Sequence, residues 1–157
     1  MSDGYDTGVV YFRRVMDGWG DWVHLPGHEA QAGFPLEAEK LKAYSVIIIS
    51  DIGADTFLLH PRTWVNGERT PNRLRIIEGY VRGGGGLIMA GGYLSYQGIN
   101  GVARNRGSPI EEALPVEIEP YGDRVECPEG IQLTVSNMRH MITKGLTKFL
   151  ALFARVQ

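Results

Sequence analysis

The chain carries a single cysteine, Cys127, so no disulfide can form within it and its fold has to come from packing alone. It also lacks a long apolar run. The longest purely aliphatic stretch is Val46 to Ile49, against the roughly 18 residues of a spanning helix, so no membrane partner is expected. Neither sign of charge dominates: 16 Lys plus Arg stand against 18 Asp plus Glu, a net charge of -2, which leaves no global attraction for nucleic acid. The start, Met1-Ser2-Asp3-Gly4-Tyr5-Asp6, has neither the basic nor the apolar region of a signal peptide, and a cytoplasmic setting is expected. His24 and His28 with Glu29 form only a loose cluster, interrupted by Pro26-Gly27, and His60 and His140 pair with no Cys, so neither a metal nor another cofactor is expected.

What the chain has in excess is glycine, 21 of 157 residues, about 13% against an ordinary value near 7%. Ten of the 21 cluster between Gly79 and Gly107, where Leu87-Ile88-Met89-Ala90 sits between Gly83 to Gly86 and Gly91-Gly92, as a short strand between tight turns would. The remaining composition, 43% hydrophobic and 22% charged, fits one globular domain over residues 1–157.

Hydrophobic spacing then predicts the elements. Asp6 or Thr7 caps a helix through Val9, Val10, Phe12, Val15 and Met16, with Gly18 as its stop. Asp21 to Leu25 reads as a short strand, Pro35 to Leu41 as a short helix, and Tyr44 to Ser50 as a strand buried on both faces. Thr70-Pro71 starts a helix whose stripe Leu74, Ile77, Tyr80 and Val81 runs to the four glycines, and Leu87 to Ala90 follows as a strand. Pro109 to Leu114 makes another short helix, with weak strands at Val116 to Glu119, Asp123 to Glu126 and Gln132 to Val135. Leu146 to Val156 fits helix and strand equally. Strands alternating with amphipathic helices predict an α/β fold, a three-layer α/β/α arrangement on a mostly parallel sheet.

In an open parallel sheet, ligands bind beyond the carboxyl ends of the strands. Two loops qualify: Ser50 to Asp55, continuing through His60 and Arg62 to Arg69, and Gly91 to Gly98, continuing to Arg104 and Arg106. A strand-to-helix elbow would put Gly92, Tyr93 or Leu94 at its tip, none with a nucleophilic thiol or alcohol. Ser95 is the weak nucleophile candidate, with a loop or capping hydroxyl as the plainer reading. Arg62, Arg69, Arg73, Arg104 and Arg106 could grip a carboxylate or phosphate, or equally pair with Asp51, Asp55 and Glu78. The candidate ligand-binding set is Asp51, Arg69, Tyr93, Ser95, Gln97 and Arg104, for a small polar or anionic molecule. Trp19 and Trp22 are expected to pack locally, and Cys127, beside the turn at Pro128, to be inert.

Three ordered strings, Val46 to Asp55, Arg69-Thr70-Pro71-Asn72-Arg73-Leu74 and Gly84 to Ser95, resemble the putative glutamine amidotransferase family of the class I glutamine amidotransferase-like superfamily. The likeness extends from about Val23 to Leu146. It implies a flavodoxin-like sheet and an elbow at Gly92 and Tyr93. Active class I enzymes carry Cys at that elbow with a later His and Glu, and release ammonia from glutamine. Here no thiol stands there and His140-Met141-Ile142 is not His-x-Glu, so the implied function is a catalytically degenerate domain that binds a ligand. The alternatives are a sugar-related role, as in the trehalose-utilisation-like branch, and a structural or assembly module. The family's first strand and C-terminal part have no counterpart in the chain, which predicts a truncated product, pairing of Trp22 to Leu25 with Val46 to Ser50, or a homo-oligomer covering the open edges.

Overall fold

The computed structural model describes residues 5–123, 125, 127–130 and 134–144. Helix α1 (Tyr5–Met16) forms as the spacing predicts, but Asp6 and Thr7 lie inside it rather than at its cap. The chain then turns at Gly18, whose φ is +81°. No strand follows at Asp21 to Leu25. Trp22 packs locally instead: its ring meets Phe12 edge-on at 6.4 Å and lies under the Arg13 guanidinium at 4.8 Å. Trp22 thus packs locally as expected, whereas Trp19 is 83% exposed.

Three helices that hydrophobic spacing does not single out come next or nearby: α2 (Gly27–Gly33), then, beyond α3 (Ala38–Leu41) and strand β1 (Val46–Ser50), α4 (Ala54–Leu58) and α5 (Pro61–Trp64). Each is too short to show a periodic stripe, and none passes seven residues. Helix α6 (Arg73–Arg82) starts two residues beyond the expected Thr70-Pro71 signal. Asn72 caps it by accepting the N–H groups of Leu74 at 3.0 Å and Arg75 at 3.3 Å. The cap side chain offers two orphan donors an acceptor that Thr70, hydrogen-bonded to Thr63 at 2.6 Å, does not.

The glycine run stops α6 and feeds strand β2 (Gly86–Ala90). Gly84 takes φ +97°, and a Cβ on Gly85 would lie 2.1 Å from the Tyr80 ring, which folds over the turn and donates its hydroxyl to Tyr44 O at 3.0 Å. Helix α7 (Pro109–Ala113) forms as expected, with Pro109 in its first turn and the Ser108 hydroxyl accepting Ile110 N–H at 3.2 Å.

β1 and β2 are parallel neighbours, with Ile48 opposite Ile88 and Ser50 opposite Ala90. Parallel pairing demands a crossover, supplied by α4 to α6. Ile47, Ile49, Leu87 and Met89 point into a core of Leu41, Ala54, Phe57, Leu74, Ile77 and Ile110. The expectation of a strand buried on both faces is corrected here: Val46, Ile48 and Ile88 are 46, 37 and 52% exposed. Period-two alternation puts them on the other face, which the described helices leave bare. The α/β class and parallel sheet stand, with one covered face among the described residues. Val116 to Glu119 is irregular, and Trp22 to Leu25 does not pair with β1. The strands expected at Asp123 to Glu126 and Gln132 to Val135 fall in part, and Leu146 to Val156 wholly, outside the described residues. No helix of the described residues is long and apolar enough to cross a membrane.

The helices are fastened to one another by Arg73, which is fully buried. It was one of the candidate anion-binding arginines, but its guanidinium is spent on backbone: Nε donates to Phe57 O at 2.7 Å, Nη2 to Thr56 O at 2.8 Å and Nη1 to Gln31 O at 2.9 Å. Longer contacts reach Phe34 O at 3.3 Å and Ala30 O at 3.4 Å. These carbonyls lie in or just past α2 and α4, where a helix end is partially negative and lacks donors. Burial lowers the Arg73 pKa from its ordinary value.

Candidate functional site

Because Ser50 and Ala90 are register partners, Asp51 and Gly91 leave the sheet side by side at its carboxyl end. Asp51 adopts φ +54°, which turns its backbone out of the strand direction and its side chain across to the second loop. There the Asp51 carboxylate accepts Leu94 N–H at 2.6 Å. A Cβ on Gly92 would lie 2.5 Å from the same carboxylate oxygen, so only glycine leaves room for it.

Ser95 completes the link. Its hydroxyl accepts Asp51 N–H at 3.2 Å and donates to Ala90 O at 2.6 Å, and the residue has no exposure. The hydroxyl thereby joins the ends of both strands. Tyr96, at φ +51°, sends its phenol back to Met89 O at 2.9 Å.

The rest of the loop is closed on itself. Tyr93 O accepts Ile99 N–H, Gln97 O accepts Ala103 N–H, and Tyr96 O accepts Asn105 N–H, at 2.8 to 3.0 Å. Asp123 holds its middle, one carboxylate oxygen taking Gln97 N–H at 2.8 Å and the other Gly98 N–H at 3.0 Å. Gln97 Oε1 and Asn105 Nδ2 are buried without a hydrogen-bond partner. The two loops meet again where Ala54 N–H donates to Ala103 O at 2.8 Å and Arg104 pairs with Asp55 at 3.2 Å.

Of the six candidate ligand residues, Asp51 and Ser95 are therefore in direct contact, with Tyr93 and Gln97 on the same closed loop. Arg104 is fixed to Asp55. Arg69, in the connection leading to α6, is exposed and enters no hydrogen bond or ion pair among the described residues. Tyr93 is 42% exposed beside Leu94 at 41%. Arg62 is committed to Glu68, Arg82 to Glu78, Arg75 to Glu112, and Arg106 through Nε to Ile118 O at 3.0 Å. No group of three or more His, Cys, Asp or Glu that could hold a metal occurs among the described residues.

Sequence reasoning missed Asp123, which binds a segment 25 to 26 residues away through no local pattern. It also missed Glu111, whose carboxylate accepts Gly107 N–H at 2.6 Å and Ile118 N–H at 2.7 Å. Those two backbone donors hold Glu111 below the usual carboxylate range. A groove of about 790 Å³ lies at the opposite, amino end of the sheet, along Tyr44, Arg75, Gly79, Tyr80 and Gly83 to Gly85.

No helix follows β2 directly, so the expected strand-to-helix elbow is instead an extended loop that first turns helical at Ile99–Gly101; the chain that carries this loop matches known proteins. The sequence model of a family described as "Putative glutamine amidotransferase" matches residues 1–154. The chain belongs to that family. Among solved structures, it is similar to the cytoplasmic protein STM1381 from Salmonella typhimurium LT2 at 40% identity and a TM-score of 0.78, over 92% of this chain and 58% of that one. It is also similar to the cytoplasmic protein STM3548 from Salmonella typhimurium at 39% identity and a TM-score of 0.82, over 91% of this chain and 57% of that one. The family member described here thus spans less than two thirds of the length of either structure. No functionally curated protein matches it.

Proposed function

We propose that this amidotransferase-like domain has lost glutaminase chemistry and binds a small polar or anionic molecule at the carboxyl edge of its sheet. The observation that carries this reading is the 2.6 Å hydrogen bond from Leu94 N–H to the Asp51 carboxylate. In an elbow enzyme, the N–H of the residue after the nucleophile stabilises the developing oxyanion. With Tyr93 in the nucleophile's place, that donor is Leu94 N–H, and a carboxylate of the protein already occupies it. A thiol is missing from the tip and the anion hole is filled, two independent losses in one turn.

Asp51, Ser95 and Gly92 in this reading build the loop, while Tyr93 and Gln97 border the ligand. Arg69 supplies the free positive charge, and Arg104 joins it by leaving Asp55. The cytoplasmic setting expected from the sequence belongs to the same proposal, supported by the two similar structures, both of cytoplasmic proteins.

Thermal unfolding in the presence of inorganic phosphate, glutamine and a neutral disaccharide tests the proposal, since a ligand that binds only the folded state raises its melting temperature. Phosphate or glutamine should raise it in the wild type, and Arg69→Ala should lose that shift while keeping the unliganded melting temperature. A shift with the disaccharide alone would favour the sugar-related role. Absence of a shift in every arm overturns ligand binding and favours a structural module.

A further inference from the structure

Charge is unevenly divided along the chain. All 18 Asp and Glu and 12 of the 16 Lys and Arg precede Gly130, and residues 130–157 hold the other four cations and no acid. The described part of that basic end closes into a turn: Asn137 Oδ1 accepts Arg139 N–H at 3.0 Å, and His140 O accepts Thr143 N–H at 3.0 Å and Lys144 N–H at 2.9 Å. Its surface carries Met138, Met141 and Ile142, each more than half exposed. Beside them stand Arg139 and Lys144, exposed, with side chains that enter no ion pair among the described residues.

Exposed apolar side chains framed by unpaired cations fit a partner that is both acidic and apolar. The residues after Lys144 add Lys148 and Arg155 without an acid, so they bring the turn no counter-charge. The chain itself carries such a partner surface. Seven acidic residues and one basic residue fall between Glu111 and Glu129. Ile118 is buried while its neighbours Glu117 and Glu119 are exposed, and these two, with Glu129, enter no side-chain hydrogen bond or ion pair among the described residues. Tyr121 and Val125 beside them are 80 and 82% exposed. The segment is already fixed, by Ile118 N–H to Glu111 at 2.7 Å and by Asp123 to Gln97 N–H at 2.8 Å, so presenting these groups costs little further ordering. We propose that two copies of this chain associate about a two-fold axis, the basic methionine turn of each seated on the acidic segment of the other. Reciprocal seating is isologous and uses both surfaces of both copies. Opposite charges set the register, and the adaptable Met138 and Met141 side chains pack against the Tyr121 ring. An anionic lipid surface would attract the turn but repel the acid-rich remainder of the chain.

Sedimentation equilibrium on the full chain at low and high salt tests the proposal. The wild type should dimerise, and raising sodium chloride from about 0.05 to about 0.5 M should weaken the dimer about tenfold, because exposed opposite charges are screened. Arg139→Glu combined with Lys144→Glu, and separately Glu117→Lys combined with Glu119→Lys, should each weaken it about tenfold or more. All four positions are exposed, so the far-ultraviolet circular dichroism of each variant should stay that of the wild type. An equimolar mixture of the two variants should recover most of the wild-type affinity, because every seat of the mixed dimer again joins opposite charges. A wild type that stays monomeric at all concentrations, a dimer indifferent to salt and to both reversals, or a mixture no tighter than its components each overturns the proposal. Vesicles rich in phosphatidylserine should leave the chain in the supernatant; co-sedimentation that the reversed turn abolishes would overturn the proposal and assign the turn to lipid.

Discussion

Arg73→Met removes every hydrogen bond that ties α2 and α4 to α6 through the guanidinium while keeping most of the side chain's apolar volume. Three of those bonds, to Phe57 O, Thr56 O and Gln31 O, are 2.7 to 2.9 Å long. A hydrogen bond from a charged donor contributes about 1.5 to 3 kcal/mol, and a buried carbonyl left without a donor costs about 1 to 3 kcal/mol. Against this, methionine avoids the desolvation of a buried guanidinium, which offsets several kcal/mol of the gross loss. The net expected destabilisation is about 3 to 5 kcal/mol, or roughly 6 to 20 °C in melting temperature for a domain of this size. Arg73→Lys keeps the charge but cannot fork toward three carbonyls at once, so it should fall between Met and wild type. Urea denaturation followed by circular dichroism gives the comparison. A Met variant within about 1 kcal/mol of wild type, with unchanged denaturant dependence, would refute the assignment of Arg73 as the helix fastener.

Gly92→Ala should destabilise by about 1 to 3 kcal/mol, since its Cβ meets the Asp51 carboxylate, and combining it with Asp51→Ala should cost less than the two single changes added together, as a double-mutant cycle in denaturant would show. Glu111 predicts an acid limb: its pKa is lowered in the folded state, so its contribution is present above the unfolded carboxylate pKa and is lost as pH falls through the folded value. Stability of Glu111→Gln should therefore fall less steeply with acid than that of the wild type, read from melting temperatures between neutral pH and pH 3.

The parts of this fold legible in the sequence are those with long periodicity or strong punctuation. The stripe of α6 and the glycines after it mark helix, turn and strand together, and Ser108-Pro109 marks α7. Illegible parts depend on partners distant in sequence. Arg73 reads locally as one more solvent-facing arginine, and only the meeting of α2 and α4 around it shows a buried fastener. Asp21 to Leu25 alternates as a strand does, but no neighbouring strand offers it a ladder, and ring packing on α1 takes its place. The four-residue apolar run of β1 suggests burial on both sides, whereas one side waits for a cover.

At the site, sequence located the two loops and the missing thiol, because strand ends and residue types are local facts. The bond between Asp51 and Leu94, 43 positions apart, is not local. Nor is the double engagement of Ser95, a nucleophile candidate by type and a strand-end tie by position.

Ammonia release from glutamine by the purified chain, compared with its Cys127→Ala variant, bears most directly on the silence of the elbow. The proposed loss of glutaminase chemistry predicts that neither protein exceeds the uncatalysed background. Turnover well above that background, whether or not it survives replacement of Cys127, would contradict it.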